Sequence, residues 1–338
     1  MKQKFFASVV VSVAVVGTLG AIPAHADEGS QLEKVLINNT LSAGTADTER
    51  DMLSDVVDKS LVSTGNDGVT LTDDFGQIVV PSTPNVPMKM TSDEGTVSIG
   101  VPFQNAASQP FEVQDGVIAY NNGNGTSTVR AVKEDGSAQT ATIIDSANAP
   151  ENFEYPLTLP PGAVIERSGD VLLIMSADGE FIGGFTAAWA TDAEGTDVPT
   201  HYEISDGAIT QVVSHQDGDV VYPVVADPLY ARGMIASVPR EQFRNGGYEI
   251  DIKVTALAFG AWLNSPGLVA TRGLQDLQEH HGRSMNTTNI QQWECHVAGL
   301  PATLPTINLE GWRRSNSTWR SNINAALLKG NPAAACNW

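Results

Sequence analysis

Five Asp-Gly pairs, at 115–116, 135–136, 178–179, 206–207 and 217–218, cut the middle of this chain into short apolar runs. Each supplies the positive-φ position that a tight hairpin turn needs, and several lie about 10 or 20 residues apart. The runs between them, such as VLLIM (171–175), ITQVV (209–213) and VVYPVV (220–225), are of strand length. The spacing predicts an antiparallel β-sandwich-like domain over 88–228. Asp217-Gly-Asp219 and the stretch 192–197 gather oxygens that would suit calcium, but neither completes a twelve-residue EF-hand loop. Turns are therefore expected there, and no metal.

Charge and aromatic content divide the chain at Asp227-Pro228. Residues 27–228 hold 7 Lys or Arg against 32 Asp or Glu, whereas residues 229–338 hold 10 against 7. Five of the six tryptophans and both cysteines fall in the second part. An acidic surface repels phosphates, so no nucleic-acid partner is expected.

At the start, Lys2 and Lys4 precede an apolar run from Phe5 to Ile22, and Ala24-His25-Ala26 offers small residues for cleavage. Residues 1–26 thus read as an export signal, with no membrane span in the mature form. Residues 27–87 read as a helical and linker segment. Met52, Leu53, Val56, Val57 and Leu61 form a stripe that predicts a helix over 45–63. A Pro-bearing connector follows near 81–87.

The part from 229 to 338 reads as a small Trp-rich α+β module. In YEIDIKV (248–254) apolar and polar residues alternate, as in a strand with one buried face. A helix is expected over 268–280, with Leu274 and Leu277 inward. Another is expected over 317–329, stopped by Gly330 and Pro332. Two cysteines in an exported chain imply one bridge, Cys295–Cys336, closing the module. The alternatives are a reactive thiol at Cys295 or metal ligation. If WECH (293–296) is a strand, His296 points away from Cys295 and is a poor base for it.

Signatures of the common hydrolases, nucleotide-binding loops and zinc sites are missing from the sequence. LPATL (300–304) resembles a sortase sorting signal, but Leu304 stands where glycine is required. The remaining catalytic candidates are weak: Glu279, His280, His281 and His296, three imidazoles and a carboxylate that would suit zinc or acid–base work. His280 and His281 diverge by about 100° on a helix, which disfavours a shared ion. For binding, the candidates are Trp293, Trp312, Arg313 and Arg314, where aromatic faces suit sugars and guanidinium groups suit anions.

CH (295–296), NLEGWR (308–313) and CN (336–337) together resemble a C-terminal domain of unknown function in exported actinobacterial proteins, and the β-rich stretch ending in YPVVADP (222–228) is similar to segments that precede it. The resemblance covers roughly 155–338. It implies a secreted module with paired cysteines, supports the division near 228, and brings no activity and no cofactor. The expected function is a secreted, non-enzymatic protein, extracellular or associated with the cell wall, that binds an envelope glycan or extracellular protein through its C-terminal module. The alternative is a secreted antibacterial effector or hydrolase acting through the same module.

Overall fold

The computed structural model describes residues 37, 40–41, 52–53, 55–65, 68–114, 116–299, 306–328, 333–336 and 338. The export signal, the sorting-like segment 300–304 and the stop at Gly330 and Pro332 lie outside them.

Two large antiparallel sheets form most of the molecule. The first begins with β1 (Val62–Gly65), β2 (Gly68–Asp73), β3 (Gly76–Pro81), β4 (Met88–Ser92) and β5 (Gly95–Ile99), in successive hairpins. The second begins with β6 (Phe111–Gln114), β7 (Val117–Asn121), β8 (Thr126–Val132) and β9 (Ala138–Ile144). The chain returns to the first sheet with β10 (Asn152–Thr158), which pairs with β5. It rejoins the second with β11 (Val164–Ser168), β12 (Val171–Met175), β13 (Phe181–Phe185) and β14 (Trp189–Thr191). The hairpin of β15 (Thr200–Ser205) and β16 (Ala208–Val213) completes the first sheet. Finally β17 (Val224–Asp227) and β18 (Leu229–Ala231) both pair with β9. The glycines of the five Asp-Gly pairs at 116, 136, 179, 207 and 218 have φ between 72° and 98°, as the turn spacing requires.

Alternation along the strands shows how the layers stack. Leu172 and Ile174 of β12 point into the core between the two sheets, with Phe153, Tyr155 and Phe185. Val171 and Leu173 point the other way, into a second core shared with the C-terminal module. The run VLLIM is apolar throughout because both faces of β12 are covered. Farther along the same outer face, Val117, Ala119, Val129, Ala131 and Ile143 are covered by Ile37, Leu41 and Met52.

The module comprises β19 (Ile235–Arg244), β20 (Gly247–Val254), α1 (Ala256–Ala261), α2 (Pro266–His281), α3 (Thr287–Gly299), β21 (Ile307–Glu310), α4 (Trp319–Leu328) and α5 (Ala333–Cys336). Its three strands pair in the order β19-β20-β21. Ile250, Ile252, Ile307 and Leu309 give that sheet an apolar face against Leu257, Val269, Leu277 and Trp293 of the helices. Thr255 caps α1 by accepting a bond from Ala258 N (3.2 Å), and Pro266 opens α2, where a missing N–H costs nothing. Cys295 and Cys336 are bonded, with Cα atoms 5.5 Å apart, and pack with Trp319 and Ile323. The fold is thus a mainly β sandwich followed by a small disulfide-closed α+β module.

Four expectations need correction. The described part of 45–63 is not a helix beyond the three-residue 3-10 turn Lys59–Leu61: Asp55 has φ 55°, Val56 bridges to Lys133, and β1 starts at Val62. Its apolar residues serve different cores, Met52 the outer face and Val57 the inter-sheet core, which a single helical stripe would not reach. Strands therefore begin at Val62 rather than at 88. The module begins after Ala231, because β18 still belongs to the second sheet. Lastly, WECH lies on helix α3, not on a strand.

Candidate functional site

The four catalytic candidates do not converge. His280 packs at a tilt against Phe75 of the β2–β3 turn, ring centroids 4.1 Å apart, with Nδ1 4.0 Å from Asp74. His281 turns to β19, where its Nδ1 lies 3.0 Å from Glu241 Oε2. Glu279 faces solvent, and His296 is buried on α3. Burial pushes the Glu241 carboxyl upward, but bonds from Ser284, Arg283 and His281 outweigh it and hold the group down at about 2. Ser284 was not singled out from the sequence. Its hydroxyl donates to Glu241 rather than to the imidazole, so the trio lacks the serine-to-base bond of a nucleophilic site. Its effect is to clamp β19 to the end of α2.

No cluster of three or more His, Cys, Asp or Glu with metal-binding geometry occurs among the described residues. Asp192 directs its carboxylate at backbone donors instead: Oδ1 accepts from Glu194 N and Thr196 N (both 2.9 Å) and Oδ2 from Val221 N (3.2 Å). That is turn geometry.

The proposed binding set also separates. Trp293 is fully buried, donating from Nε1 to Ala270 O (2.9 Å), and is out of reach of any partner. A ring so large fills the small module's core, which is why the sequence offered it as conspicuous. Arg313 bonds Glu310 (2.5 Å) and Trp338 O (2.6 Å), so its charge is already engaged. Its guanidinium lies 4.8 Å from the centroid of the half-buried Trp312, and only Arg314 is exposed. Trp262 and Trp319 are 3% and 4% exposed, so they present no open stacking platform.

A groove of about 730 Å³ lies where α2, α3 and α4 meet. Ala270 and Leu274 of α2, Val297 and Ala298 of α3 and the edge of Trp319 make it apolar. Thr271, Gln275 and Gln278, at i, i+4 and i+7 on α2, add a row of uncharged hydrogen-bonding groups. Its charges cancel locally: Arg320 lies over the Trp319 ring (4.4 Å to the centroid) and bonds Glu294 (2.9 Å). A smaller depression of about 390 Å³, bounded by the β12–β13 turn, shares Gly267, Thr271 and Gln275 with it. Residues 271, 275 and 278 fall in the helix expected over 268–280 but were not singled out there, and nothing in the sequence showed that α3 and α4 would leave a gap beside them.

The groove is held against the sandwich by ion pairs. Arg272 Nη1 bonds Glu94 of the β4–β5 turn (2.8 Å), and its Nε lies 2.8 Å from Asp276. Asp276 in turn accepts from Met234 N (2.8 Å). Burial pushes the Asp276 carboxyl up from its usual range, against the pull of Arg272. Arg232 adds a further bridge to Asp73 (2.5 Å).

No protein-family model, curated protein or solved structure matches this chain. No helix among the described residues is long and apolar enough to cross a membrane. With its intramolecular disulfide, the chain is compatible with an extracellular setting.

Proposed function

We propose that this chain is an exported, non-enzymatic binding protein whose C-terminal module takes a partner in the cell envelope or extracellular space. The groove between α2, α3 and α4 carries this reading, and it replaces Trp293 and Arg313 as the binding surface. Its apolar floor, its row of Thr271, Gln275 and Gln278, and its internally paired charges suit an uncharged ligand with hydroxyl and amide groups, as an envelope glycan presents. Export is supported by the residues read as a signal and by the disulfide, and agrees with the resemblance to exported actinobacterial proteins. The dispersal of Glu279, His280, His281 and His296 argues against the hydrolase alternative.

Retention of the full mature chain on insoluble envelope glycan tests the reading. Gln275→Arg, which puts bulk and an unpaired charge into the groove, is expected to lower retention at least about tenfold while leaving the fold intact. No retention of the wild-type chain on any envelope fraction or extracellular protein, or equal retention of the variant, overturns it.

A further inference from the structure

Of the 18 prolines only Pro228 follows an aspartate, and that bond lies where the acidic part of the chain meets the basic one. It also lies deep in the fold. Asp227 is fully buried at the end of β17, and β18 begins one residue after Pro228. Gln139 Nε2 donates to Asp227 Oδ2 at 2.6 Å, while Oδ1 is buried without a hydrogen-bond partner. The hydroxyl of Tyr202, from β15 on the opposite sheet, donates to the main-chain carbonyl oxygen of Asp227 at 3.2 Å. A buried donor on a carbonyl oxygen stabilises the negative charge that develops there under attack.

We propose that the Asp227–Pro228 bond is a built-in self-cleavage site. The neutral Asp227 carboxyl attacks its own main-chain carbonyl carbon through the unpartnered Oδ1, forming a five-membered cyclic anhydride. The C–N bond to Pro228 breaks, and the carboxyl proton passes to the proline nitrogen, which leaves as a secondary amine. Water then opens the anhydride. The products are a chain ending in Asp227 with both carboxyl groups free and a chain beginning with Pro228. Nothing is oxidised or reduced, and water is the only co-reactant.

The surroundings keep the reacting form available. Burial raises the Asp227 carboxyl to about 7, opposed by the bond from Gln139 and by the more distant Lys133. The other titratable groups facing it are Tyr155 from β10 and Tyr202, whose phenols burial pushes upward, so both stay protonated donors. Cleavage does not by itself release the pieces. Strands β17 and β18 remain paired to β9, and Arg272–Glu94 and Arg232–Asp73 still join the module to the sandwich.

The test is to incubate the folded full chain between pH 5 and pH 8 and follow it by denaturing gel and intact mass. Two fragments meeting at Asp227 and Pro228 are expected, forming faster at pH 5 than at pH 8 and faster in folded than in urea-unfolded chain. Asp227→Asn keeps the shape of the neutral acid and is expected to remain uncut. Tyr202→Phe removes one carbonyl donor and is expected to slow the reaction about tenfold or more. Circular dichroism at each pH confirms that the variants are folded. A wild-type chain that stays whole at pH 5 while folded, cleavage equally fast when unfolded, or undiminished cleavage in Asp227→Asn overturns the proposal.

Discussion

The sandwich fully encloses one carboxylate and the C-terminal module partly encloses another, and the two are shifted in opposite ways. In the sandwich, Asp227 is enclosed between sheets with one side-chain donor, Gln139, and its carboxyl rises to about 7. In the module, Glu241 receives bonds from Ser284, Arg283 and His281, which outweigh burial and hold it at about 2. Asp227 is fully enclosed with one neutral donor, so burial sets its direction, whereas Glu241 is only part-buried and its donors, the Arg283 guanidinium among them, set the other. The contrast extends to the architecture. The sandwich relies on alternating apolar strands between its sheets, whereas the smaller module adds a disulfide and ion pairs that run back to the sandwich turns.

The linkage of the two carboxylates to pH runs in opposite directions. Asp227 has a raised pKa in the folded chain, so its favourable contribution is complete below the unfolded value of 3.8 and is lost as pH rises through about 7. The shift corresponds to roughly 4 kcal/mol. Glu241 has a depressed pKa, so its contribution is present above 4.5 and is lost as pH falls through about 2. Stability measured by denaturant titration is therefore expected to peak at about pH 4 to 5, between the two windows. Asp227→Asn should flatten the alkaline limb and leave the acid limb, and Glu241→Gln should do the reverse. A single unchanged profile in both variants would mean that neither group sets the slope.

An effect of similar size is expected from the disulfide. Its partners are 41 residues apart, and opening a loop of that size costs about 4 kcal/mol by chain entropy. Cys295→Ser with Cys336→Ser should concentrate this loss in the module. Amide exchange is expected to rise in α3 and β21 and to change little in β3 or β10 of the first sheet. Uniform loss of protection across both regions would show that the module and sandwich unfold as one unit.

What the sequence disclosed follows the same division. Hairpin turns and single-faced strands were legible because their signals are local: Asp-Gly pairs gave the turns, and Tyr248 to Val254 gave β20. The cysteine pairing was legible because only two cysteines exist. The stripe at Met52 to Leu61 misled because residues of helical spacing were divided between two cores, a fact of tertiary packing that no local repeat encodes. Likewise Trp293 and Arg313 have the chemistry of a binding site, but their partners, Ala270, Glu310 and Trp338, occupy them. The groove depends on three helices whose approach is set by side chains far apart in sequence, so only the helix over 268–280 that carries Thr271, Gln275 and Gln278 was legible, not the site.

The smallest effect discriminates between two glycines of one helix. Added at Gly273 of α2, a Cβ would lie 2.5 Å from Cζ2 of Trp293, inside contact distance. Trp293 is fully buried and fixed by its bond to Ala270 O, so the ring has no easy retreat. Alanine gains about 1 kcal/mol of helix propensity over glycine, while overpacking a tight core costs about 1–3 kcal/mol. Gly273→Ala is thus expected to destabilise the chain by a net of about 1 kcal/mol. At Gly267, in the first turn of the same helix, an added Cβ meets nothing within 4 Å. Gly267→Ala should therefore be neutral or stabilising by a few tenths of a kcal/mol, up to about 1. Thermal melts of the two variants read the difference directly. Stabilisation by both would mean that the Trp293 ring can shift, and that the module's core is more loosely packed than the sandwich beside it.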